Sequence, residues 1–163
     1  MKIIDMSALT IPAVYELEQE CFAHPWSLES IEESFGNPMA HFFVAKADAN
    51  AVAGYISYYQ VRDEAFINNV AVTASARRQG IGRALVEHAV ESAKGNGASF
   101  LSLEVRLSNE PARNLYDSLG FELEGIRKKF YRDPVEDALI LTRRFETQTT
   151  CCGMPLEGEV VIL

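Results

Sequence analysis

The sequence predicts a single mixed α/β domain whose sheet is antiparallel in its first half and carries helices on both faces. Three observations predict it. Two apolar runs, 42–47 and 52–61, are joined by Asp48-Ala49-Asn50, and a third, 65–72, follows closely enough to continue an antiparallel meander. The apolar spacing then becomes helical at Gly80 and reverts to a strand at Phe100. Finally, 163 residues with 48% hydrophobic content fit one domain with a full core, and a charged fraction of 23% is ordinary for a folded chain.

Each element has a local reason. Thr10 serves as N-cap of a first helix with Pro12 in its first turn, where a missing N–H costs nothing; Val14, Leu17 and Cys21 then recur at helical spacing, so Cys21 reads as a core residue. Ser27 caps a second, short helix ending before Gly36. The strand at 65–72 contains the unusual pair Asn68-Asn69. Ile81, Ala84, Leu85, Ala89 and Ala93 mark one face of a longer helix that stops at Gly95-Asn96-Gly97. Phe100 to Val105 is a strand. Ala112, Leu115, Tyr116 and Leu119 then lie at i, i+3, i+4 and i+7 on a helix starting near Ser108 or Asn109 and stopping at Gly120. Two further strands fit 121–131 and 136–144. Residues 147–163 show no clear period, and are expected to be an extension of unassigned role, poorly ordered or ending in a small strand at Glu159 to Leu163, outside a domain spanning 1–146.

Fifteen basic residues against 23 acidic ones leave a net charge of −8, which provides no general attraction to nucleic acid or anionic lipid. Neither is expected as a partner. Cys21, Cys151 and Cys152 are odd in number with two adjacent, unlike a disulfide framework, and suggest a reducing compartment. The N-terminus carries an acid at Asp5 with no apolar run of signal-peptide length behind it, so a soluble, cytoplasmic protein is expected. His24, His41 and His88 are isolated and lack metal-ligand spacing, so no metal is expected.

The most informative segment is Arg77-Arg78-Gln79-Gly80-Ile81-Gly82-Arg83, a turn feeding a helix. Helix N-termini carry partial positive charge and unpaired N–H groups and normally attract acids; here three arginines crowd that end, and the first acid within the helix is Glu87. An anion is expected there, the structural alternative being that Gly80 and Gly82 are plain turn residues and the arginines a solvated surface. Glycine at 80 and 82 lets phosphate oxygens reach backbone N–H groups, with the arginines adding charge-assisted hydrogen bonds. A dinucleotide loop of the Rossmann kind fits less well, because Gly80-Ile81-Gly82-Arg83-Ala84-Leu85 ends in Leu where a small residue is required.

This segment resembles the pyrophosphate-binding loop of the GCN5-related N-acetyltransferase (GNAT) superfamily, [Arg/Gln]-x-x-Gly-x-[Gly/Ala]. Further motifs resemble its ribosomal-protein-alanine N-acetyltransferase branch: Pro25-Trp26-Ser27, Asn69-Val70-Ala71-Val72, Leu103-Glu104-Val105-Arg106 with Ser108-Asn109, Asn114 through Phe121, and Tyr131 followed by Glu136-Asp137-Ala138. The resemblance covers residues 1–146 and implies the GNAT fold, a mixed, mostly antiparallel twisted sheet of about seven strands. It further implies that Val70, Ala71 and Val72 meet the pantetheine arm of acetyl-CoA, that Arg78, Gln79, Gly80, Ile81, Gly82 and Arg83 hold its pyrophosphate, and that Asn109 hydrogen-bonds the cofactor. Glu104 would be the general base and Tyr116 the general acid. The acceptor would be a protein N-terminus, that of a small-subunit ribosomal protein beginning with alanine. A small-molecule amine, or a non-catalytic acyl-CoA-binding module, remains the alternative.

The residue types suit this chemistry. An amine attacks a thioester only as the free base, so a carboxylate must take the ammonium proton. Leu101, Leu103 and Val105 share one face of their strand, leaving Glu104 on the other with Phe100 and Ser102; pairing with Arg106 or another base is the structural alternative. Tyr116 lies on an apolar helix stripe and so reads first as a core tyrosine, acting as an acid only if its hydroxyl emerges. Trp26 is either a core plug or an acceptor-pocket wall, and Tyr131 can line the acceptor site.

Overall fold

The computed structural model describes residues 1–47 and 51–146. Its strands are β1 (Lys2–Asp5), β2 (Ala40–Lys46), β3 (Val52–Val61), β4 (Glu64–Val72), β5 (Phe100–Arg106), β6 (Glu122–Tyr131) and β7 (Glu136–Arg144); its helices are α1 (Ile11–Cys21), α2 (Leu28–Phe35), α3 (Ile81–Gly95) and α4 (Glu110–Ser118). The strands form one sheet in the order β1-β2-β3-β4-β5-β7-β6. Pairing is antiparallel from β1 to β4, parallel between β4 and β5, and antiparallel again through β7 to β6. This is the mixed, mostly antiparallel sheet expected. The turn at 48–50 and the whole of 147–163 lie outside the described residues.

The helix ends follow their sequence signals. Ser27 Oγ accepts from Ser30 N–H at 3.1 Å to cap α2, and α1 carries Pro12 in its first turn; Thr10 stands at the α1 N-cap position, but its hydroxyl bonds the Ser7 backbone and caps no helix N–H. Gly80 precedes α3 with φ +80°, the left-handed region open to glycine. Asn109 Oδ1 accepts from Ala112 N–H at 3.3 Å to cap α4. Strand β1 escapes the sequence patterning because four residues at a sheet edge are too few to show alternation.

Two cores result, one on each face. On the α3 face, Leu85, Val86 and Val90 pack with Ile56, Tyr58, Leu101 and Leu103; on the α1 and α2 face, Val14, Leu17 and Ile31 pack with Val44 and Tyr55. A Cβ at Gly54 would sit 2.7 Å from the Ala71 carbonyl and 3.2 Å from Leu85 Cδ1, so glycine allows β3, β4 and α3 to approach this closely. Among the described residues no helix is long and apolar enough to cross a membrane.

Candidate active site

The site begins where the sheet comes apart. β4 and β5 pair only over Glu64–Phe66 and Phe100–Ser102, then separate. The cause lies in β4: its register against β3 runs Ser57↔Asn69, then Tyr58↔Ile67, leaving Asn68 as an extra residue. Such a bulge bends its strand and increases local twist, turning the second half of β4 away from β5.

The backbone exposed in this gap follows from strand alternation. Thr73 N–H donates to the Ala53 carbonyl at 2.9 Å, so Ala71 and Asn69 likewise face β3, while Val70 and Val72 turn their N–H and C=O groups into the gap. The Val72 carbonyl accordingly accepts from Arg77 Nε at 3.0 Å and from the Cys21 thiol at 3.6 Å. Ala71 is the spacer between them, its methyl buried on the α1 face.

At the head of the gap the loop turns through Arg78 (φ +63°) and Gly80 and presents the first N–H groups of α3, with no acid in that first turn. A Cβ at Gly82 would meet only Leu115 Cδ2 at 3.8 Å and Val72 Cγ2 at 3.9 Å, so this glycine sits between the strand and α4 where the gap opens. Ile81 is buried and contributes its backbone alone. Arg83 donates to Ser118 Oγ at 2.6 Å and pairs with Glu87 at 3.4 Å, while the Gln79 amide donates to the Ser75 carbonyl at 3.3 Å. Arg78 makes no side-chain hydrogen bond or ion pair among the described residues, which leaves its charge for a ligand. A turn rich in donors, flanked by an unpaired strand edge, matches the needs of a pyrophosphate with an amide-bearing arm.

Glu104 and Tyr116 lie on opposite faces of the sheet. Leu101, Leu103 and Val105 enter the α3 core, so Glu104 faces the other way with Phe100, whose ring meets Phe66 edge-on at 5.6 Å. Glu104 pairs with Arg127 Nε on β6 at 3.0 Å. Arg106 is engaged elsewhere, with Glu136 at 3.4 Å, the Arg132 and Pro134 carbonyls, and the Tyr131 ring at 4.3 Å. Tyr116 packs edge-to-face on Phe121 at 5.7 Å, and burial, followed by neighbouring Tyr131, pushes its phenol up to about 12. Its hydroxyl has no hydrogen-bond partner among the described residues. Tyr131 is also shifted upward, by burial first and then by the charge of Glu104.

Other expected residues divide. Asn109 spends its Oδ1 on the α4 cap and keeps its amide donors. The Trp26 side chain packs against the α1/α2 core and borders a shallow surface hollow with Ser30, Glu33, Ser34 and Asn37. Arg127 and Glu18 were missed. Glu18 is fully buried and accepts from Trp26 N–H at 2.8 Å, from Asn69 Nδ2 at 2.8 Å and from the Tyr55 hydroxyl. Its signal was present, since an acid on the same stripe as Ile11 and Val14 at i+7 and i+4 must find buried donors. Among the described residues no cluster of His, Cys, Asp and Glu could hold a metal.

An α/β sheet opened at a bulge, with a donor-rich turn at the head of the opening and a carboxylate on its β5 rim, suits an acyltransferase of the acetyl-CoA type. A sequence profile of the acetyltransferase (GNAT) family matches residues 11–121, and the chain belongs to that family. The [ribosomal protein bS18]-alanine N-acetyltransferase of Escherichia coli (strain K12) is 37% identical over 141 residues, 85% of this chain and 94% of that one. A Bacillus subtilis (strain 168) relative is 44% identical over 132 residues, 80% of this chain and 87% of its own length. The crystal structure of the Escherichia coli ribosomal-protein-S18-alanine N-acetyltransferase superposes with a TM-score of 0.85 at 33% identity, covering 94% of this chain and 99% of that one.

Proposed function

We propose that this protein transfers the acetyl group of acetyl-CoA to the N-terminal α-amine of a ribosomal protein, the N-terminal alanine of a small-subunit protein, and does so in the cytoplasm. The observation that carries the reading is the gap between β4 and β5, bordered by the Val70 and Val72 backbone, headed by the α3 N-terminus and flanked by Glu104 and Tyr116. The activity of the Escherichia coli relative, a ribosomal protein bS18-alanine N-acetyltransferase, supports the acceptor. Residues 1–146 would carry the activity, and 147–163 have no assigned part in it.

In this reading Arg78, Gly80, Gly82 and the first N–H groups of α3 hold the pyrophosphate, with Gln79, Ile81 and Arg83 shaping the turn. Val70 and Val72 hydrogen-bond the pantetheine arm, and the Asn109 amide donates to the cofactor. Glu104, directly or through a water, takes a proton from the acceptor ammonium. The freed amine attacks the thioester carbonyl, so that a C–N bond forms, the C–S bond breaks, and the surplus proton left on the nitrogen ends on the departing sulfur as the CoA thiol.

Tyr116 then faces a departing thiolate whose ordinary pKa is ~8.5. A phenol raised to about 12 is fully protonated at neutral pH and holds its proton more tightly than that thiol. Its main contribution is therefore a hydrogen bond to the developing sulfur charge rather than complete transfer. Mass spectrometry of ribosomal-protein N-termini, in cells with and without this protein, tests the reading: one N-terminus should lose acetylation with the protein, and an unchanged set of N-termini would overturn it.

A further inference from the structure

We infer that Asn69 is an acceptor-binding residue whose side-chain carbonyl receives an N–H of the incoming amine, and that buried Glu18 is the positioning residue that aims it. The inference rests on the proposed acetyl transfer to an amine at Glu104 and adds to it the group on the opposite rim.

Register places the two rims. Phe66 pairs with Ser102, and Glu104 lies two residues beyond Ser102. Counting two residues along β4 and one more for the bulge residue Asn68 brings Asn69 opposite Glu104 across the gap. Both side chains lie on the α1 face: Glu104 because its neighbours Leu103 and Val105 enter the α3 core, Asn69 because it bonds Glu18 of α1.

Chemistry then orients the amide. Glu18 already accepts from a backbone N–H and a phenol, and as a carboxylate it offers only acceptors, so the Asn69 group at 2.8 Å must be Nδ2. With one Nδ2 bond fixed in the buried cluster, Oδ1 is held on the remaining side. Oδ1 has no partner among the described residues, nor is it one of the sealed, unpartnered atoms, so it is left able to accept. Ser57, paired across from Asn69 on the same face, supplies one of those two buried unpartnered polar atoms, so this strip of sheet has unused hydrogen-bonding capacity. A primary amine needs one acceptor to take its proton and another to fix the remaining N–H groups, and Glu104 and Asn69 stand as such a pair.

The test uses the full-length protein, acetyl-CoA and an alanine-initiated peptide, with Glu104→Gln run in parallel. Asn69→Ala should raise the acceptor KM by about ten- to a hundredfold, the range for losing a hydrogen bond to a charged group, while the acetyl-CoA Kd stays within twofold. Glu18→Gln puts an amide donor into the cluster, lets the Asn69 amide rotate, and should raise the same KM. The double variant should be no worse than Asn69→Ala alone, which independent structural damage would not produce. In wild-type protein the ¹⁵N-labelled Asn69 side-chain resonance should shift on addition of the peptide, a reading that needs no variant. An unmoved resonance, or an unchanged acceptor KM in Asn69→Ala while Glu104→Gln lowers kcat by about 10²–10⁴-fold, overturns this inference alone. Absence of turnover in the wild type overturns the proposed function itself.

Discussion

Replacing Gly82 by alanine sets folding and ligand binding against each other. Gly82 lies in the first turn of α3 without a positive φ, and the added methyl would make ordinary contacts at 3.8 and 3.9 Å with Leu115 and Val72. The protein therefore tolerates it, and the lower backbone entropy of alanine favours the helix by about 0.5 kcal/mol. That corresponds to a rise of roughly 1–2 °C in Tm for a domain of this size. A ligand phosphate sees the opposite, because the methyl occupies the approach to the α3 N–H groups. Losing one charge-assisted hydrogen bond, about 1.5–3 kcal/mol, weakens acetyl-CoA by about ten- to a hundredfold, and Gly82→Asp should weaken it further by adding a negative charge. Calorimetry and thermal melts on the same samples decide the matter. A raised Tm with undiminished affinity would refute the placement of the pyrophosphate at this helix end.

Glu104→Gln should retain acetyl-CoA affinity and lower kcat by about 10²–10⁴-fold at neutral pH, the defect shrinking as pH rises and free amine accumulates; steady-state kinetics across pH checks this. Tyr116→Phe should lower kcat by tenfold or more with little change in acetyl-CoA binding, and it should flatten the alkaline stability profile. The sign follows from the raised phenol: the folded state keeps a proton the unfolded chain releases, so stability present below pH ~10 is lost as pH climbs toward about 12, as denaturant titrations will report. Burial lowers the His41 imidazole, so its contribution is present above pH ~6.5 and lost on acidification, and His41→Gln should weaken that decline in urea midpoints. Gly54→Ala forces a methyl to within 2.7 Å of the Ala71 carbonyl and should cost about 1–3 kcal/mol in chemical denaturation.

The fold was legible wherever a single helix or strand declared its own period. Ser27 and Asn109 announced their caps, β3 and β7 match their apolar runs residue for residue, and Gly80 marked the start of α3. Relations between elements were less legible. Nothing in the run 100–105 shows that β5 joins β4 for only three residues, because that break arises from a bulge against a third strand. The oddity of Asn68-Asn69 was visible, but its consequence needed the register. Arg127 was unreadable as the partner of Glu104, since it lies on an edge strand whose residues are nearly all exposed and carry no burial pattern. Tyr116 was ambiguous for a related reason: an apolar ring suited to the core and a polar hydroxyl belong to the same side chain, and the helical stripe shows only where the ring goes.

The central claim is that the gap between β4 and β5 brings a thioester and an N-terminal amine together beside Glu104. Its most direct measurement is to incubate the purified protein with acetyl-CoA and a peptide that carries both an N-terminal alanine and an internal lysine, then locate the acetyl group by fragmentation mass spectrometry. The account predicts one acetyl group, on the α-amine, in the wild type and a 10²–10⁴-fold slower reaction in Glu104→Gln. Acetylation of the lysine alone, or equal rates from the two proteins, would contradict it.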